Sequence, residues 1–527
     1  MLKPWRSNSG SICIAAYPTL RATRSCARST ISSHSLPDDV SGVDDKFRAR
    51  GRTAIGRAEP SRPLKCILAD GILQQDMHLF DYGCGRGDDL RHLAFLGHNA
   101  SGWDPVHRPD HERRSASVVN FGYVVNVIEN VNERADTLRR AWALAEQVLV
   151  VSARLTLEAK SLRETTEYAD GYLTGRGTFQ KFFEQQELRH WIDTVLAVKS
   201  VPAAPGVFYV FRSEEARTQF LASRYRRRLI APRLSKSAEL YARHETLLAP
   251  LVDFMGERGR LPHDDELVNT PALIDVFGSI RKAFRVVLYA TEESDWDAVG
   301  QERARDLLIY LALSQFEGRP AFGKLPLSLQ RDVKAFFSTY KQACTQADTL
   351  LYSLGQPGIV EQACQDSGLG KLTPSALYIH ETALPMLSPL LRLYEGCARG
   401  YLGRVEGANI IKLHRDEPKV SYLSYPGFDD DPHPPLDEAL TVHLQTFRVK
   451  TRRYRDSANR PILHRKELFI AADHPLRAKF ERLTRVEESK GLFEDTSRIG
   501  LENGWREALA EKGVYLKGHR LLQLREN

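Results

Sequence analysis

The spacing of apolar positions divides the chain before any motif is considered. His78–Tyr82 is a short apolar run holding Asp81, and residues 88–96 place Leu90, Leu93, Ala94 and Leu96 at helical spacing. A second short strand is predicted over 99–104, and a third begins at 116–119. Residues 133–145 turn Leu138, Ala141, Trp142 and Leu144 to one side, as an amphipathic helix does. Residues 147–152 are apolar almost without interruption, which suits a strand covered on both faces. Residues 187–196 carry Leu188, Trp191, Ile192 and Val195 on one helical face. Two last runs, 198–201 and 207–211, flank Pro202-Ala203-Ala204-Pro205-Gly206 and read as a hairpin-like pair. Strands alternating with helices and closing in an antiparallel pair imply a mostly parallel sheet with helices on both sides.

Downstream the period changes. Helical patterns are predicted over 214–226, 237–255, 271–288, 304–314 and 326–347, and the Gly- and Pro-containing stretch 355–370 suits a connection. Residues 410–413 and 420–425 are β-like, 429–435 must be a loop, and 441–453 alternate as one strand. That strand would carry Arg448, Lys450 and Arg452 on one side and Phe447, Val449 and Thr451 on the other. No repeat of fixed period is present. Four segments result: a disordered extension over 1–45, an α/β Rossmann-like domain over 46–213, a mostly helical domain over 214–355 and an α+β C-terminal domain over 370–527.

Composition refines this only a little. Hydrophobic residues make up 42% and charged residues 27% of the 527, as in ordinary globular protein, and no apolar run reaches membrane length. The net charge of +7 is uneven: Lys3, Arg6, Arg21, Arg24 and Arg28 supply five cations within 1–37, where there is no acid. Only local clusters can therefore speak of partners. The seven cysteines form no C-x-x-C pair and none lies near a histidine at zinc spacing, so a reduced, cytoplasmic protein without a metal site is expected. Residues 1–45 are Ser/Arg-rich like a transit peptide, but a plain extension accounts for them as well.

The strongest chemical pattern is Phe80-Asp81-Tyr82-Gly83-Cys84-Gly85-Arg86-Gly87-Asp88-Asp89. A buried strand runs into three alternating glycines and then a helix, which allows positive φ and a ligand close to the backbone. The spacing is neither G-x-G-x-x-G nor that of a phosphate-binding P-loop. It resembles the cofactor motif of class I S-adenosylmethionine (AdoMet)-dependent methyltransferases. That resemblance assigns Asp81, Gly83, Gly85 and Gly87 to the methionine part of the cofactor. Asp104, in Gly102-Trp103-Asp104-Pro105, would accept hydrogen bonds from both ribose hydroxyls. Trp103 or Pro105 would pack near the adenine. Too few residues follow Asp104 before the next strand for the family's usual extra helix and third strand.

After that strand, Asn120-Phe121-Gly122-Tyr123 stands where amino-methylating DNA enzymes carry [DN]-P-P-[YF]. It keeps the Asn and Tyr and lacks both prolines. Asn120 can accept from an exocyclic amine and Tyr123 can stack on a flipped base, so both are the catalytic candidates. Cofactor packing explains them equally. No Cys follows a Pro, which argues against covalent attack on cytosine C5, and Cys84 reads as packing. Aromatics, glycines and cations over 168–183 suit a lid loop or a nucleic-acid contact, with a plain surface insertion as the alternative. Arg224, Arg226 and Arg227, and the Arg448/Lys450/Arg452 face, are candidate nucleic-acid contacts. The alternatives are a solvated helix face and the protective charge of an edge strand.

From about Phe47 onward the chain resembles one family, the DNA phosphorothioation-associated methyltransferases. The resemblance is carried by Thr53-Ala54-Ile55-Gly56-Arg57, the glycine loop, Gly102-Trp103-Asp104-Pro105 and Asn126-Val127-Ile128-Glu129. Further on it is carried by Gly177-Thr178-Phe179-Gln180-Lys181, Lys412-Leu413-His414-Arg415, Pro418-Lys419-Val420-Ser421-Tyr422-Leu423-Ser424-Tyr425-Pro426 and Pro461-Ile462-Leu463-His464-Arg465-Lys466-Glu467. It implies a bacterial protein tied to systems that put sulfur into the DNA backbone, with DNA and phosphorothioation or restriction proteins as partners. No catalytic residue carries over. Methyl transfer to RNA, protein or a small molecule, and a non-catalytic AdoMet- or DNA-binding role, stay open.

Overall fold

The computed structural model describes residues 50–54, 56–57, 59–159, 165–175, 177–225, 239–291 and 293–524. These residues belong to one compact unit. The extension predicted over 1–45 lies outside them.

Six strands form the first sheet, in the order β2–β1–β3–β4–β9–β8. β1 (His78–Tyr82), β2 (Asn99–Trp103), β3 (Ala116–Gly122) and β4 (Ala145–Ser152) are parallel neighbours, and β9 (Val207–Phe211) runs antiparallel to β4 and to β8 (Val201–Ala204). Apolar residues on both faces are buried. Phe80, Val119, Phe121 and Leu149 pack toward α3 (Val131–Leu144) and α4 (Gln185–Leu196), while Leu79, Val118 and Val150 pack toward α1 (Arg62–Ala69). The glycine loop joins β1 to α2 (Asp88–Phe95). The chain passes from β2 to β3 with no helix and no strand between, so β2 is left at the sheet's edge. The closing pair differs slightly from expectation. Pro202, Ala203 and Ala204 belong to β8, and the turn is Pro205-Gly206, where Gly206 adopts φ 74°.

The stretch expected to be a lid loop is a small antiparallel meander of β5 (Thr165–Tyr168), β6 (Gly171–Thr174) and β7 (Phe179–Gln180). Arg134, 2% exposed, donates to both carboxylate oxygens of Asp170 at 2.7 and 3.0 Å and to the Ile128 carbonyl, so the meander is pinned to the start of α3.

The helical segment follows, with three predicted helices broken in two, the first of them into Glu239–Arg243 and Glu245–Arg258. Gly278, at φ 81°, ends Thr270–Phe277, and Ser279 caps Ile280–Ala290; Thr339 caps Tyr340–Ser353 after Leu327–Phe336 has closed. Glu293–Ser314 runs 22 residues through its centre.

A second six-stranded sheet is antiparallel throughout, in the order β10 (Lys371–Leu372), β11 (Ala376–His380), β12 (Ile410–His414), β13 (Lys419–Ser424), β14 (Glu438–His443), β15 (Val449–Arg453). The helix Pro389–Leu402 covers one face through Leu391, Tyr394, Ala398 and Leu402. Residues 441–453 are thus a hairpin rather than one strand, with Phe447 at φ 53° in its turn.

The two sheets meet at a tight joint. Gly403, at φ 77°, ends that helix, and a Cβ there would lie 2.3 Å from the Ala203 carbonyl carbon and 2.4 Å from the Ala204 nitrogen. The next amide, Arg404, donates to the Ala203 carbonyl at 2.6 Å, and Glu406 pairs with Lys65 at 2.8 Å.

Candidate functional site

The carboxyl ends of β1, β2 and β3 open on one side of the sheet, where ligands of open α/β sheets bind. Gly83, Gly85 and Gly87 adopt φ of 86°, 52° and 77°. A Cβ on Gly83 would stand 2.5 Å from the Val124 Cγ2. The amides of Gly83 and Cys84 donate to the Trp103 carbonyl at 2.8 and 3.1 Å, tying the loop to β2. Behind it, Asp88 and Asp89 fill the first turn of α2. There the Arg57 amide donates to Asp88 at 2.7 Å and the Ser61 amide to Asp89 at 2.9 Å, so the segment before α1 is strapped across the helix start.

Asp104 stands at the tip of β2. Its Oδ2 accepts the Gly85 amide at 3.0 Å, and its Oδ1 accepts the Val106 and His107 amides at 2.9 and 2.8 Å. A carboxylate offers about four acceptor positions. Three are engaged, which leaves room for one further donor rather than the expected pair. Trp103 and Pro105 both line the adjoining cavity, and Arg113 lies 4.8 Å over the Trp103 ring.

Asp81 is 5% exposed and accepts from the Asn120 Nδ2 at 2.9 Å. Burial pushes its carboxyl up to about 7, and nearby Asp89 adds to this against the pull of Asn120 and Arg57. The Asn120 Oδ1 is buried without a hydrogen-bond partner. Tyr123 holds φ 61°, rare for a side chain of its size, with its amide on the Ser152 carbonyl at 3.0 Å. Arg57 lies 5.5 Å over its ring. Burial pushes the Cys84 thiol up to about 12, with Asp81 and Asp104 contributing, which disfavours its thiolate.

These groups border one cavity of about 900 Å³. Its other walls include Arg154 and Glu158 beyond β4, and Thr174, Thr178 and Gln180 of the meander. Asn126 knits the far side: its Oδ1 accepts the Arg154 amide at 3.0 Å and its carbonyl the Lys181 amide at 2.8 Å. Arg52, Arg57, Arg86 and Arg140 line the cavity, are exposed, and have no carboxylate partner among the described residues.

Asp81, Gly83, Gly85, Asp104, Asn120 and Tyr123 all line this one cavity, and Gly87 ends the loop beside it. Arg224 does not join them. It donates to the Pro202 carbonyl at 2.7 Å, stacks on Phe220 and faces Asp70, so a nearly buried stitch replaces the expected phosphate contact. Arg226 and Arg227 lie outside the described residues. Arg448, Lys450 and Arg452 sit on the β14–β15 hairpin, away from the cavity. Arg57, Ser61, Arg154 and Glu158 were missed by motif reasoning. The stretch Thr53–Arg57, already part of the family resemblance, was the signal for Arg57.

No family model matches the chain, and no curated protein does. Among solved structures, similarity extends to 1,6-didemethyltoxoflavin-N1-methyltransferase of Burkholderia thailandensis, at 14% identity over 34% of this chain and 92% of that one, TM-score 0.25. A sugar N-methyltransferase of Streptoalloteichus is 13% identical over 37% of this chain and 100% of that one, TM-score 0.23. Magnesium protoporphyrin IX methyltransferase of Synechocystis is 12% identical over 33% and 95%, TM-score 0.21.

Proposed function

We propose that the chain is an AdoMet-dependent methyltransferase whose acceptor is an amino group of a DNA base, acting alongside the writing of sulfur into the DNA backbone. The observation that carries the reading is the buried Asp81–Asn120 pair behind a three-glycine loop that Asp104 ties to the neighbouring parallel strand. The residues fit the cofactor. The left-handed glycines bring loop backbone to the cavity wall, where Gly83 and Gly85 line it, and the cavity is within the range of small-molecule sites. Gly83, Gly85 and Gly87 would underlie its methionine part, Asp81 would face its amino group and Asp104 one ribose hydroxyl. When bound, AdoMet supplies an electrophilic methyl group.

The remaining work belongs to the chain. The Asn120 Oδ1, buried and unpartnered, takes an N–H of the acceptor amine and so turns its lone pair toward the methyl. Tyr123, held in place by its strained backbone and by Arg57, supplies a flat face for the base. The exposed arginines at the rim favour a polyanionic acceptor over a neutral small molecule. The link to phosphorothioation rests on the family resemblance.

The test is transfer of labelled methyl from AdoMet to plasmid DNA, with and without phosphorothioate, by the full-length protein. Label in an N-methylated base is expected. AdoMet binding by calorimetry with no label in DNA would move the acceptor to RNA, protein or a small molecule, and absence of binding would remove the methyltransferase reading itself.

A further inference from the structure

The second sheet has one face covered by a helix; on the other, Ile410, Leu423 and Ala439 pack beneath Phe428, Phe469 and Phe480, and the neighbouring row toward the sheet's edge is polar and cationic. Leu377, Ile411, Leu413, Val420 and Val442 point toward the helix Pro389–Leu402. On the opposite face the register aligns Lys412, Ser421, Thr441 and Lys450 in one row across four adjacent strands. Along the last strand, Arg448 and Arg452 share that face with Lys450 by strand alternation, and all three are exposed. None of the four cations has a carboxylate partner among the described residues; Lys412 instead lies 5.2 Å over the Tyr378 ring, and Arg452 4.7 Å over Tyr454. The hydroxyls between them are fixed: the Ser421 Oγ bonds the Thr441 Oγ1 at 2.7 Å and the His414 Nε2 at 3.0 Å.

Protection of an edge strand does not account for this charge. The row reaches Lys412, three strands inward, and the β15 edge already lies beside the first sheet's segment. There Arg448 and Lys450 line a cavity of about 290 Å³ whose other wall includes Leu155, Thr156 and Glu184. Leu155 and Thr156 sit between Arg154 and Glu158, which line the large cavity. The cationic edge and the large cavity are therefore bordered by the same segment, Arg154–Glu158, from its two sides.

We infer that this face, built on Lys412, Arg448, Lys450 and Arg452, docks the backbone of duplex DNA and presents it to the cavity beside Arg154. The inference rests on the methyl-transfer reading for its choice of DNA. Duplex is favoured over a single strand by shape. At strand spacings of about 4.8 Å, Lys412 and Lys450 are roughly 14 Å apart, as are Arg448 and Arg452 along the strand. A two-dimensional array of this size matches phosphates facing one another across a groove of about 12 Å. A single strand would instead need exposed rings to stack its bases, and the one ring in this row, Tyr378, is half-buried beneath Lys412.

The experiment measures fluorescence anisotropy of a labelled 20-base-pair duplex with the full-length protein between 50 and 200 mM salt. The variants are Arg448→Glu/Lys450→Glu/Arg452→Glu, Lys412→Ala, and a control with equal charge change on another helix, Arg482→Glu/Arg485→Glu/Lys490→Glu. The β15 variant should bind at least tenfold more weakly, with a salt slope shallower by about 0.9 per lost phosphate contact. Lys412→Ala should lose about one such contact, and the control should bind as the parent does. AdoMet binding by calorimetry should be the same in all, which separates this face from the cofactor site. Absence of duplex binding by the parent, equal losses in the control, or tighter binding of a single-stranded 20-mer or of polyglutamate would each overturn the assignment. AdoMet binding lost throughout while duplex binding follows the pattern would sink the methyltransferase reading and leave the face standing.

Discussion

Asp81 combines burial with a neighbouring acid, and its behaviour with pH follows from that. A carboxyl held near 7 is mostly neutral in weak acid, whereas a cofactor ammonium group prefers the carboxylate. Binding should therefore expel a proton. Affinity for AdoMet is expected to rise by up to about tenfold per pH unit below 7, level off, and fall again above about 8 as an α-amino group loses its charge. Calorimetry from pH 5.5 to 9 checks this, and an acidic limb that survives in Asp81→Asn refutes the assignment. Stability runs the other way. A carboxyl whose folded value lies above its unfolded one costs stability as pH rises from about 4 to 7, so Asp81→Asn should stabilise the ligand-free protein at pH 8 by on the order of 2–4 kcal/mol, and hardly at pH 4. The loop glycines separate similarly. Gly83→Ala sets a Cβ against Val124 at φ 86° and should cost about 1–3 kcal/mol and most AdoMet affinity. Gly87→Ala meets only the movable end of Arg108, so its melting temperature should fall less. The alternating glycines, Asp81, Asp104, Asn120 and Tyr123 were legible in the sequence because strand ends and turn chemistry coincide there. Arg57 and Ser61 were not, because their positions depend on a chain segment that returns to α2 from earlier in the sequence.

Elements were legible where apolar spacing and turn residues agree. β1 to β4 and the helices between them fall where predicted, and the short step from β2 to β3 holds no further helix or strand. Breaks inside helical segments were hidden, since the apolar spacing carries across Gly278-Ser279 and across Thr339 although the backbone stops. The hairpin of β14 and β15 was read as one strand for the same reason: alternation continues through its turn, and within β15 it does set Lys450 and Arg452 on one side. The meander is built of strands of two to four residues, too short to show a period. It depends instead on Arg134. Removing that guanidinium by Arg134→Met leaves Asp170 and the Ile128 carbonyl without their donor, and should cost about 3 kcal/mol. Limited proteolysis should then cut within 165–180 before any other described segment; an unchanged cleavage pattern would show that the pin is dispensable.

Across the whole molecule the sheets are joined edge to loop. β8 is the first sheet's border, all four of its residues are buried, and the Ala203 carbonyl is taken by the Arg404 amide. A fragment ending at residue 213 would bare that border to solvent, and self-association is expected of it by light scattering while the full chain stays dispersed. The sequence-level division at 213 follows a change of apolar period, whereas Arg224 and Arg404 both bond back to β8 from beyond it. The joint also sets a rule for variation. The clash at Gly403 is with main-chain atoms of Ala203 and Ala204, which every amino acid shares, so no replacement at 203 or 204 can make room for a side chain at 403. In a library that randomises all three positions together, 403 should return glycine alone among surviving sequences, and no second-site suppressor of Gly403→Ala should map to its partners.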